Sequence, residues 1–231
     1  MKKNKLKIVL QARVSSYRLY GKVLLPISNI PMSVLCAKRL SNTGYPTIVA
    51  IPKQDSDDSL ELVLKKNNIK IFRGSHKNVL KRYIEATKDM DDDDLIIRAT
   101  ADNPLPDGNF VSEALKIFLK SKSNFINTHN KFFNLPYGLA LQVFYVKNLR
   151  LIYKQKPTKT DCEHVVPILD RNNNFIKNLN KYNKYKKYYT KEKLSVDNFD
   201  DYLRVEKLFR QVKDPINEKW YKIINKGFKR K

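Results

Sequence analysis

The chain has 231 residues, 42% of them hydrophobic, which suffices for one substantial core and suits a single α/β domain. No apolar run reaches the length of a membrane span, no signal-peptide stretch follows Met1, and Cys36 and Cys162 are the only cysteines; a cytoplasmic protein with two packed thiols, no disulfide framework and no zinc site is expected. The formal charge of +23 raises nucleic acid as a partner, a reading that depends on where the charge lies.

The run Leu6 to Leu10 is apolar enough for a buried parallel strand, and Ile8 to Gln11 read as strand one. The loop leaving its carboxyl end, where open α/β sheets bind ligands, reads QARVSSYRLYGKVL over residues 11–24. Arg13, Arg18 and Lys22 converge there with Ser15 and Ser16. A nucleoside triphosphate carries about four negative charges and admits an anionic nucleophile only where cations and N–H groups cancel its field, so this is the layout of a triphosphate grip. It is not a Walker A loop, because a single Gly21 precedes Lys22 and Val23 follows, and a kinase or ATPase loses its support.

Val34, Leu35, Lys38 and Arg39 fit a helix after Pro31, and Thr47 to Ile51 a second strand. Asp57 or Asp58 caps a helix carrying Leu60, Leu62, Val63 and Leu64, Lys70 to Phe72 form a third strand, and Ser75 opens a helix with Val79, Leu80, Tyr83 and Ala86. Asp89 to Asp94 read as a solvated connection. Leu95 to Arg98 give a fourth, central strand, followed by a helix on Phe110, Val111, Ala114, Leu115, Phe118 and Leu119. This alternation predicts a mostly parallel sheet covered on both faces.

Asp102 follows the fourth strand, placed to hold a cation. Magnesium usually takes one or two carboxylates plus substrate phosphates, so a second acid is expected. Asp197 supplies it in LSVDNFDD over residues 194–201, at the end of a short strand and ahead of a helix on Tyr202, Leu203, Val205, Leu208 and Phe209. Asp200 and Asp201 serve that helix's amino-terminal end. About +13 of the charge falls after residue 146, where Lys181, Lys184, Lys186 and Lys187 interleave with Tyr182, Tyr185, Tyr188 and Tyr189. Lysines and stacking aromatics could hold a single strand, but no recognition helix, zinc finger or RNA-binding signature accompanies them. A solvated basic surface is the favoured reading, ahead of an anionic membrane surface or a polyanionic glycan. Trp220, Tyr221, Ile223 and Ile224 dock a last helix or contact a partner subunit.

These residues resemble the cytidylyltransferases related to CMP-Kdo synthetase, most closely the spore-coat-polysaccharide cytidylyltransferase-like branch. That branch shows QAR-x-x-S-x-RLPGK-x-L, met here with Tyr20 for Pro, and R-x-T-G-D-x-P-L, met from Arg98 with Ala101 for Gly. S-V-D-T-x-x-D is met from Ser195 with Asn198 for Thr, and R-G-S-x-x-D-V-L-x-R from Arg73 with Asn78 for Asp. P-x-G-x-x-x-E begins at Pro136 and ends in Gln142 instead of Glu. R-E-H-V-T keeps Glu163, His164 and Val165 but loses its Arg and Thr.

The resemblance spans roughly residues 6 to 205. It implies a three-layer α/β/α, Rossmann-like (GT-A-like) nucleotidyltransferase fold in one domain over 1–231, with a core of about 6–209 and a basic helical tail of about 214–231. It further implies CTP contacts from Leu10, Ala12, Arg13, Ser15, Arg18, Lys22, Ser75, Arg82 and Thr100, and magnesium (Mg2+) at Asp102 and Asp197. Catalysis would fall to Arg13, Lys22, Asp102 and Asp197. Gln142, Glu163 and His164 would meet the acceptor, an acidic sugar, polyol phosphate or related compound of surface polysaccharide synthesis. Relatives often form homodimers, so a dimer is expected. Two other readings stay open: a nucleotide-sugar glycosyltransferase, though Asp102-Asn-Pro lacks the second Asp of a D-x-D motif, and a basic nucleic-acid or polyanion-binding module.

Overall fold

A computed structural model describes residues 4–129, 133–155, 157–165, 167, 169 and 183–228. Its main sheet contains β1 (Leu6–Gln11), β4 (Thr47–Pro52), β5 (Ile71–Gly74), β6 (Leu95–Thr100), β7 (Phe125–Asn127) and β8 (Gln142–Tyr145), in the order β5-β4-β1-β6-β8-β7. β2 (Pro26–Ile27) and β3 (Ile30–Pro31) form a separate two-stranded ribbon. β1, β4, β5 and β6 run parallel, while β8 is antiparallel to both β6 and β7. The antiparallel edge was not foreseen, because β7 and β8 are three and four residues long and carry too little periodicity to announce themselves.

Successive strand residues serve opposite faces. Ile8 and Leu10 of β1 and Ile97 and Ala99 of β6 join the core under α1 (Met32–Ser41), α2 (Asp58–Lys66) and α4 (Gly108–Ser121). Val9 and Ile96 join the core under α3 (Val79–Ala86) and α5 (Val146–Lys154). The result is the expected three-layer α/β/α arrangement. A short α6 (Lys159–His164) lies beside α3, where Asn78 Nδ2 donates to Cys162 Sγ. The final helix, Trp220–Gly227, docks into the first core, with Trp220, Ile223 and Ile224 buried.

Several local expectations need correction. Asn78, not Ser75, caps α3, accepting from Lys81 N–H, while Ser75 Oγ accepts from Asn78 N–H. Asp57 occupies the cap position of α2 without a side-chain cap bond; its buried carboxylate accepts Val14 N–H instead. The third strand is displaced to Ile71–Gly74. The segment before Asp197 is not a strand: Leu194 N–H and Val196 N–H reach Tyr137 O and Asp102 O singly, without a ladder. The acidic run is a turn, yet it is more than solvated, since Asp94 holds Lys5 N–H and Asp91 N–H, and Asp89, Asp92 and Asp93 pair with Lys7, Arg150 and Lys147. Of the Lys/Tyr cluster, Lys181 and Tyr182 and the side chains of Lys184 and Lys186 lie outside the described residues, as does Val166, which stands at the Thr of R-E-H-V-T. Tyr185 is buried, and Tyr185 and Tyr188 stack edge-on against Trp220, so these two rings fill the core instead of offering a platform for bases.

Candidate active site

The site forms where two parallel neighbours end. Gln11 of β1 sits in register with Thr100 of β6, so the loops leaving them emerge side by side, tied by Ala101 N–H to Gln11 O. The first loop is pinned rather than loose: Val14 N–H goes to Asp57, and Ser16 N–H and Gly21 N–H both go to Val14 O. Gly21 has φ +70°, a left-handed conformation that costs glycine little, and it starts the 3₁₀ turn Lys22–Leu24. That turn drives Lys22 inward until only 8% of it is exposed.

Lys22 Nζ donates to Val196 O at 2.6 Å and lies 3.3 Å from Asp102 Oδ2 and 3.4 Å from Asp197 Oδ1. Two carboxylates separated by 95 residues of chain thus share one ammonium. Arg18 reaches Asp197 from the solvent side at 2.6 Å. Thr100 Oγ1 donates to Asp102 Oδ1 at 2.5 Å and in turn accepts from Asn103, which fixes the carboxylate's rotation. Asp197 is held from behind, its N–H bonded to Asp201 and its carboxylate 2.8 Å from Lys193. Burial alone would raise the Asp197 carboxyl, but the hydrogen bond from Lys193 and the charges of Lys22, Lys193 and Arg18 outweigh it and hold the group below the usual carboxylate range.

The donor set suits a hard divalent cation completed by substrate oxygens. No cluster of three or more His, Cys, Asp or Glu able to hold a metal occurs among the described residues, so a closed protein cage is not what this site offers. Two carboxylates already sharing one cationic group match the one-or-two-carboxylate pattern of magnesium bound with phosphates and water.

Two adjoining cavities open here. The first, about 320 Å³, is lined by Ala12, Arg13, Ser16, Arg18, Lys22, Arg98, Thr100, Asp102, Glu163, His164 and Asp197 among others. The second, about 420 Å³, shares Arg18, Arg98, Thr100, Asp102, His164 and Asp197 and continues past Asn127, His129, Tyr137, Gly138 and Gln142. Ala12, Arg13, Arg18, Lys22, Thr100, Asp102, Gln142, Glu163, His164 and Asp197 all line one or both of these cavities. Leu10, Ser15, Ser75 and Arg82 line neither cavity. Leu10 points into the core because strand alternation sends it to the face away from Gln11. Ser75 belongs to a separate surface hollow with Lys53, Arg73 and His76. Arg82 is fully buried on α3, and its three guanidinium nitrogens have no hydrogen-bond partner among the described residues. Sequence reasoning missed Arg98 and Lys193 as site residues; the one stood inside a motif as mere strand, and the other lies four residues before Asp197 with no motif of its own.

A family model described as cytidylyltransferase matches residues 7–218. The spore coat polysaccharide biosynthesis protein SpsF of Bacillus subtilis is 26% identical over 218 residues, covering 90% of this chain and 88% of its own length. A cytidylyltransferase structure from Leptospira borgpetersenii superposes with a TM-score of 0.82 at 24% identity, covering 96% of this chain and 93% of its own. CMP:2-keto-3-deoxy-manno-octonic acid synthetase complexed with CTP superposes with a TM-score of 0.62 at 17% identity, over 90% and 99% respectively.

Proposed function

The chain belongs to the cytidylyltransferase family and is a nucleotidyltransferase, and on that footing we propose that it transfers CMP from CTP to an acidic sugar, polyol phosphate or related acceptor in surface polysaccharide biosynthesis. The observation that carries this reading is the single Lys22 ammonium shared by Asp102 and Asp197 at the mouth of a loop that also presents Arg13 and Arg18. The spore-coat role in the B. subtilis relative's name and the CTP in the synthetase complex support the choice of pathway and nucleotide.

In this reaction an acceptor oxygen attacks the α-phosphorus of CTP, a P–O bond forms, the α–β anhydride bond breaks and pyrophosphate leaves in line. Arg13, Arg18 and Lys22 hold the β- and γ-phosphates and neutralise the leaving pyrophosphate. Asp102 and Asp197 would hold magnesium, which would supply Lewis-acid polarisation of the α-phosphoryl group. Thr100 fixes Asp102, and Lys193 with Asp201 fixes Asp197, so the carboxylates need little reorganisation. Glu163 and His164, on the cavity wall, orient the acceptor or take its proton. No covalent enzyme intermediate is required.

Pyrophosphate release assayed over the four nucleoside triphosphates, each with a panel of acidic sugars and polyol phosphates, tests the proposal. Release with CTP in preference to the other three supports it. Preference for another nucleotide, or no release with any, contradicts it.

A further inference from the structure

Arg98 is the one strand residue of β6 whose charge reaches both cavities. Its Nη1 donates to Gln142 Oε1 at 2.9 Å and its Nη2 to Gln11 Oε1 at 3.1 Å, while Nε is buried without a partner. Register explains the placement: Gln142 of β8 lies directly opposite Arg98, and Gln11 projects from β1 to the same face two residues along from Val9, the β1 partner of Arg98. Tyr83 lies against the Arg98 side chain and interacts with it, while its hydroxyl donates a hydrogen bond to Val9 O at 3.1 Å. Burial pushes Tyr83 up to about 12, so it is neutral and cancels nothing.

A guanidinium on a cavity wall normally meets a carboxylate. Here the two acids that line both cavities are already engaged, Asp102 with Lys22 and Thr100, and Asp197 with Lys22, Lys193 and Arg18. No ion pair joins Arg98 to any described residue, and the side chain opposite, Gln142, is a neutral amide. Two amides and a neutral phenol therefore surround the guanidinium without supplying a counter-charge. The second cavity, with Asn127, His129 and Tyr137 on its far wall, is the space left for the acceptor once the loop cations hold a triphosphate.

The geometry points to Arg98 as the residue that selects the acceptor: its guanidinium, held in place by Gln11 and Gln142, docks an anionic carboxylate or phosphate group of the acceptor in the second cavity. This rests on the nucleotidyl-transfer reading and narrows it, since a neutral sugar would cover this half-buried cation without giving it a counter-charge and be disfavoured.

The test is a calorimetric titration of the CTP- and magnesium-saturated protein with two small probes, inorganic phosphate and glycolate. The loop cations are then occupied, so a remaining anion site reports on Arg98, and the better-bound probe distinguishes phosphate from carboxylate. Arg98→Gln should weaken probe binding by about ten- to a hundredfold, the loss expected for one charged hydrogen-bonding group, with CTP affinity within about twofold of wild type. Gln142→Glu, which keeps the guanidinium and supplies it with a carboxylate, should weaken the probe by a similar factor. Arg98→Lys should recover part of the loss. Probe affinity unchanged in Arg98→Gln or Gln142→Glu, no probe binding to wild type, or a loss confined to CTP overturns the assignment. Failure of the wild type to bind CTP at all instead strikes the nucleotidyl-transfer reading, and the acceptor assignment falls with it.

Discussion

Asp197 faces three cations, Lys22, Lys193 and Arg18, and its ionisation is bound to the integrity of the site. Its folded-state value lies below the unfolded one of about 3.9, as does that of Asp201, which shares Lys193. A depressed carboxyl contributes stability that is fully present above the unfolded value and lost as pH falls through the folded one. The thermal midpoint should therefore show no loss from this pair between pH 8 and about pH 5 and a fall below about pH 4, a fall that Asp197→Asn makes shallower. A variant titrating as steeply as wild type would remove Asp197 from that account. At the chemical step, Lys22→Ala and Asp102→Ala should each lower turnover by at least about a hundredfold with the circular dichroism spectrum unchanged, as when a transition-state contact is removed. Wild-type-like turnover in either would end the mechanism. These residues were legible in the sequence because motif spacing fixes them. Arg98 was not, because its importance depends on which side chains lie opposite it in the sheet.

Two short elements hold the distant halves of the site together. The helix Phe199–Phe209 begins with a reciprocal capping box in which Asn198 accepts from Asp201 N–H and Asp201 accepts from Asn198 N–H. Because Asp201 also takes Asp197 N–H, the cap aims the Asp197 carboxylate. Asn198→Ala should cost about 1 kcal/mol of stability by chemical denaturation and lower turnover beyond what that loss explains. Stability loss with full turnover would leave the cap a purely structural role. Gly138, at φ +110°, lies against the backbone of Leu194, where an added Cβ would come within 2.5 Å of the carbonyl carbon. Long helices such as α1 and α4 were readable from apolar spacing. The segment before Asp197 was misread as a strand because its apolar residues Leu194 and Val196 are buried by loop contacts, and no ladder pairs them.

On the scale of the whole molecule, the tail is structural. Arg39, fully buried, donates to Pro215 O, Glu218 O and Leu105 O, and Trp220 N–H donates to Asp107. These bonds bind the last segment to α1 and to the start of α4, and Trp220 stacks edge-on with Phe110. Trp220→Ala should destabilise the protein by about 3–5 kcal/mol. A change below about 1 kcal/mol would mean that the final helix docks only loosely. The alternating strand and helix order made the layered architecture legible from sequence, whereas the route of the tail rests on carbonyl contacts that leave no residue pattern. No helix among the described residues is long and apolar enough to cross a membrane.

Binding of CTP to wild type and to an Asp102→Asn/Asp197→Asn double variant, measured by calorimetry with and without magnesium, bears most directly on the claim that two distant aspartates and one lysine form a single nucleotide cradle. Wild type should bind CTP at least about tenfold more tightly with magnesium, the gain expected of a hard cation bridging carboxylates and phosphates, and the double variant should lose that gain. An equal gain in the double variant would contradict the account.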